Sequence, residues 1–167
     1  MSSAEKLAGG IDAFIDLVGR ATAWLALGLA LVMGANVLLR YGFSIGSIWM
    51  QEFEWHLMVP ICVFGMSYAL RHGEHVRVDV LFQYFSQRNK HLVELISAVV
   101  GMLLSIIVIW LCIPYVWQSW SIGEGTANPG GIDHRYIVKA LIPIGFALFL
   151  IQSLSDAIKS YAAYRSA

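Results

Sequence analysis

Charge is scarce in this chain. Of its 167 residues, 13% are Asp, Glu, Lys or Arg, against roughly 25% in an ordinary soluble domain. Eleven basic and eleven acidic residues leave a formal net charge of +0, which argues against a nucleic-acid binder, since those show a basic face. There are two cysteines, Cys62 and Cys112. Both lie in apolar runs and are expected to be small buried side chains, since neither a CxxC pair nor a disulfide framework is present. HExxH, paired-carboxylate and Ser/His/Asp patterns are missing from any credible setting, so the chain is not expected to be an enzyme. His56 alone does not make a haem site, because His72, His75 and His91 belong to the opposite surface and His134 to a loop.

Hydrophobic residues make up 58% of the chain. Four apolar stretches, approximately 21–39, 53–70, 92–118 and 137–156, approach or exceed the length that crosses a bilayer, about 20 residues. The expected fold is therefore an all-α membrane protein, a single integral domain over 1–167 with four transmembrane helices. The third stretch has length to spare and should tilt or project. Asp12 and Asp16 argue against a cleavable signal peptide, so the first stretch is expected to be an uncleaved anchor.

Two further helices are predicted. Leu7, Ile11, Phe14, Ile15 and Val18 fall at helical spacing, with Asp12, Asp16 and Arg20 on another face. That pattern predicts an N-terminal amphipathic helix, read here as lying along the membrane interface rather than extending the first span. Asp79 is a plausible N-cap for a short cytoplasmic interfacial helix over Val80 to Phe85, and Ser86 restarts the chain.

Basic residues set the orientation. Arg71, Arg77, Arg88 and Lys90 crowd the central loop, whereas the other loops carry Arg40 and Arg135, with Lys139 just inside the fourth stretch. The central loop and both termini are thus expected to be cytoplasmic. Trp110, Trp117, Trp120 and Tyr136 read as an outer aromatic belt. Small residues recur at Thr22, Ala26, Ala30 and Gly34, and at Ser97, Gly101 and Ser105, which predicts close helix packing. Glu52 and Glu54 open the second stretch at an interface. Either they are simply solvated there, or one partners Lys139 or Arg40 on the same side.

The run Arg71-x-Gly73-x-His75-Val76-Arg77-Val78-Asp79-Val80-Leu81, directly after a stretch that opens with Glu52, resembles the small membrane subunit (DctQ-like) of tripartite ATP-independent periplasmic (TRAP) transporters. So do Glu124-Gly125-Thr126 and Lys139-Ala140-Leu141-Ile142-Pro143-Ile144-Gly145-Phe146. Pro129-Gly130-Gly131-Ile132 departs from that pattern, where a Leu-Pro-like turn is expected.

The resemblance implies a small accessory permease subunit of the bacterial inner membrane. It implies bracing of a large elevator-type membrane subunit (the M subunit). That subunit would run sodium symport of an organic acid, a carboxylate delivered by a transiently docked periplasmic binding protein (the P subunit). Sodium is expected in the large subunit, with no cofactor, metal or catalytic residue in this chain. Membrane lipids are the other expected partner.

Within the motif, Arg71 and Arg77 are expected to order the cytoplasmic turn by pairing with Glu74, Asp79 or lipid phosphate. Arg40, Glu52, Glu124, Asp133 and Arg135 are available to the docking protein, and Glu54 and Lys139 are candidate intramembrane contacts. The alternatives are a membrane anchor of a redox complex and a structural subunit of another membrane assembly.

Overall fold

A computed structural model describes residues 3–74 and 85–166, with the side chains of Ser3 and Ser166 left aside. Four helices account for most of them: α1 (Ser3–Gly42), α2 (Ile48–His72), α3 (Gln87–Ser121) and α4 (Tyr136–Ser166). Each is long and apolar enough to cross a membrane, and each contains one of the four stretches read from sequence. At 1.5 Å per residue, the 40 residues of α1 extend about 60 Å, twice the hydrocarbon thickness.

The helix ends follow local chemistry. Ser47 caps α2 by accepting a hydrogen bond from the Met50 amide at 3.3 Å. Ser86 does the same for α3 through the Asn89 amide at 3.4 Å, as its position in the sequence suggests. Gly73 ends α2 in the left-handed region, at φ 72°. A residue without Cβ adopts that conformation at no steric cost.

One expectation changes here, and another is not reached. Residues 3–20 are not a separate interfacial helix but the first half of α1, continuous with the span. The polar face of this segment is used against α2 and α4, which removes the reason for it to lie on lipid. The short helix expected over Val80 to Phe85, with its cap Asp79, falls almost wholly outside the described residues.

Helix α4 is the hub. It packs on α1, α2 and most extensively α3, while α1 also packs on α2; α3 makes no comparable contact with α1 or α2. Close approaches use residues without side chains. A Cβ on Gly145 of α4 would lie 2.5 Å from Val63 Cβ of α2, and one on Gly101 of α3 would meet Ser153 Oγ of α4 at 3.1 Å.

The interior is small and polar: Ser67, Ser105, Ser119, Gln152, Ser153 and Ser155 are nearly inaccessible, whereas Leu38 and Trp110 are about 70% exposed. This inversion suits lipid, where large apolar side chains gain nothing by turning inward. Ser105 is satisfied by donating to Gly101 O of its own helix at 2.7 Å.

Of the two small-residue stripes, Gly101 and Ser105 do line the α3–α4 contact, but Ser97, Ala26, Ala30 and Gly34 are exposed. α1 touches its neighbours through another face, that of Ala8, Asp12, Ile15 and Thr22. Cys62 is likewise exposed and Cys112 half-buried, so neither is the buried side chain expected.

Candidate functional site

The chain's polar chemistry collects at the two ends of the bundle. At the terminal end, α1 begins, α2 and α4 finish, and α3 begins. Asp12 of α1 is the centre. Lys159 Nζ of α4 lies 2.6 Å from Asp12 Oδ2, and Ser155 Oγ donates to Asp12 Oδ1 at 2.8 Å. Gln152 Nε2 reaches Asp12 Oδ1 at 3.3 Å and Asp156 at 3.1 Å.

From α2, Arg71 approaches Asp12 at 3.6 Å and Asp16 at 3.9 Å, and His72 Nε2 meets Asp16 at 3.1 Å. Three helices thus converge on two aspartates one turn apart. On the α3 side of this end, the Arg88 guanidinium donates to Tyr164 Oη at 3.3 Å and lies 4.9 Å from that ring's centre.

At the other end, the loop of residues 122–135 folds onto Glu52 in the first turns of α2. Thr126 Oγ1 donates to the carboxylate, as do Asn128 Nδ2 at 3.0 Å and the Ile132 amide at 2.7 Å. Glu52 keeps only 2% of its surface exposed. Gly131 touches the carboxylate so closely that a Cβ there would lie 2.5 Å from Oε2. The glycine in the Pro-Gly-Gly-Ile departure therefore has a steric reason in this chain.

Behind Glu52, Lys139 donates to Glu124 and lies 4.2 Å from the centre of the Tyr115 ring. That hydrogen bond is the main cause holding the Glu124 carboxyl below its ordinary range. Asn36 of α1 donates to Glu54 Oε1 of α2 at 2.8 Å.

These contacts place the sequence-read residues. Lys139 pairs with Glu124 instead of Glu52 or Glu54, because the loop's own donors saturate Glu52 and Asn36 occupies Glu54. Glu52 is enclosed and so offers nothing to a docking protein. Arg40 and Asp133 are exposed, and Arg135 is half-buried. Arg71 turns to α1, while Gly73 caps its helix. His75, Arg77 and Asp79 lie outside the described residues. Among the described residues, no group of three or more His, Cys, Asp and Glu is placed to hold a metal ion.

Sequence reasoning missed the α4 contribution to the terminal cluster. Gln152, Ser155, Asp156 and Lys159 are spaced three, four and seven residues from the first, one stripe down a helix that is otherwise apolar. That stripe was a readable signal. Thr126 and Asn128 had no such signal, since a loop without periodicity does not announce its partners.

The family model "Tripartite ATP-independent periplasmic transporters, DctQ component" matches residues 29–163. The chain is also 25% identical, over 139 residues, to "Ectoine TRAP transporter small permease protein TeaB" of Halomonas elongata, covering 81% of this chain and 71% of that protein.

Proposed function

This chain belongs to the DctQ component family of TRAP transporters, whose members are small permease subunits and not enzymes, and on that premise we propose that it braces a larger membrane subunit. The observation that carries this reading is the use of its polar residues. The clusters at both ends tie helices or a loop of the chain to one another, through Asp12 at one end and Glu52 at the other. A protein stiffened this way suits the stationary part of a transporter in which another part moves.

The large partner holds the substrate and sodium sites and works by an elevator motion, coupling sodium entry to uptake of an organic acid. A periplasmic binding protein delivers that acid and docks transiently. The chain sits in the bacterial inner membrane with both termini in the cytoplasm. Grouping of α1's start with α4's end and the positive residues of the central loop support that orientation. On this orientation the Glu52-organised loop faces the periplasm, where the exposed Arg40 and Asp133 steer the docking protein.

Co-expression with its large membrane partner tests the reading. A stable complex of the two should co-purify, and transport in vesicles should need both subunits and the binding protein. Robust solute uptake by this chain alone, or electron transfer through a bound chromophore, would end the proposal.

A further inference from the structure

Beside the Glu52 latch a cleft of about 170 Å³ opens between α2 and the first turns of α4. Glu52, Trp55, His56 and Val59 line it from α2, and Arg135, Val138 and Lys139 from α4 and the residue before it. Its walls are mostly apolar. It lies toward the α3 side, because Lys139 reaches Tyr115 of α3, and α3 does not close against α2.

Three features of the cleft have no use in the bundle. The Arg135 side chain makes no hydrogen bond or ion pair among the described residues, although the charges of Glu52 and Glu124 feel it. Lys139, by contrast, is already matched by Glu124. His56 Nδ1 must donate to the Glu52 carbonyl oxygen, 2.7 Å away, which leaves Nε2 of the neutral ring as an acceptor. That Nε2 is buried and has no partner. Finally, Trp55 stands 57% exposed at the rim, as a tryptophan does at the level of lipid headgroups.

We propose that this cleft is a phospholipid site, in which Arg135 takes the phosphate, a headgroup N–H or O–H satisfies His56 Nε2, and an acyl chain runs along Val59 and Val138. A guanidinium grips phosphate through two parallel hydrogen bonds. The apolar walls gain from an acyl chain and gain nothing from a soluble anion. The His56 acceptor selects ethanolamine or glycerol headgroups over choline, which has no donor to offer.

The full chain, purified in mild detergent and exchanged into phosphatidylcholine vesicles doped with equal phosphatidylethanolamine and phosphatidylglycerol, is examined for retained lipid by native mass spectrometry. One retained phospholipid per chain is expected, with donor-bearing headgroups favoured over choline about tenfold. Arg135→Gln should reduce retention about tenfold and Arg135→Lys should restore part of it. His56→Phe should keep a lipid but erase the headgroup preference. Arg40→Gln, at the same end of the bundle, should leave lipid retention and headgroup preference as in the wild-type chain.

Several results would overturn the proposal. They are equal retention of choline lipids by the wild-type chain, retention unaffected by Arg135→Gln, and an equal loss with Arg40→Gln. Displacement by inorganic phosphate alone would also overturn it, by assigning an ion site in place of a lipid site.

Discussion

The terminal end and the loop end of the bundle each turn on one enclosed carboxylate, yet they use it differently. Asp12 takes its partners from two other helices, α2 and α4, and pairs with two cations, Lys159 and Arg71, besides the neutral donors Ser155 and Gln152. Glu52 takes neutral donors from one short segment, Thr126, Asn128 and the Ile132 amide. The first arrangement fixes where helices stand. The second gives shape to a loop too short and glycine-rich to have a core, by supplying the acceptor that a neighbouring strand or helix would otherwise provide.

This contrast predicts different failures at the two ends. Asp12→Ala should have the largest effect. It removes the acceptor shared by Ser155, Gln152 and Lys159, which keep Ala8 O and Asp156 as second partners, and because Lys159 and Arg71 are 39% and 31% exposed they can rehydrate, which holds the loss to about 2 kcal/mol. Thermal unfolding of the whole chain in detergent should show a clear drop in Tm; an unchanged Tm would mean the aspartate is incidental.

Glu52→Gln comes next. One carbonyl oxygen replaces two, and an NH2 now faces other donors. Amide exchange across residues 124–133 should quicken about tenfold, while the helices keep their protection. If the helices melt as well, the two ends are not independent in the way described.

Gly131→Ala should give a milder version of the same loop loosening. The added methyl meets the carboxylate group, whose oxygens lie 2.5 and 2.7 Å from the ideal Cβ. A variant that exchanges like wild type would show that the loop yields easily.

Acidification should do least. The Lys139 hydrogen bond lowers the Glu124 pKa below its ordinary 4.5. A lowered folded-state value means that the tie is fully present above that ordinary pKa. It is lost as pH falls through the lower folded-state value. Protection factors near residues 122–126, which remove the intrinsic pH dependence of exchange, should therefore hold steady above the ordinary value of 4.5 and fall only as pH drops through the lower folded-state value.

The four helices were legible because a span of that length and apolarity has few other fates. The caps at Ser86 and Gly73 follow from residue chemistry that needs no distant partner. Placement of the N-terminal segment did not, because an amphipathic face looks the same whether it rests on headgroups or on another helix. What decides is Lys159, 147 positions away from Asp12, and no periodicity in residues 3–20 encodes that. Glu52 stands out in the sequence, and its partners do not. The sequence shows a carboxylate at a helix start, but its three donors come from a loop whose path only the fold reveals.

The attachment of α3 has a consequence for how the chain is made. Synthesis delivers α3 before α4, and α4 is the helix it packs on. Until α4 leaves the ribosome, α3 lacks the helix it packs on most, whereas α2 can already rest on α1. Of the four helices, α3 is the most apolar and α2 the least. The segment that must wait for its main neighbour is thus the one best suited to dissolve in lipid unaided.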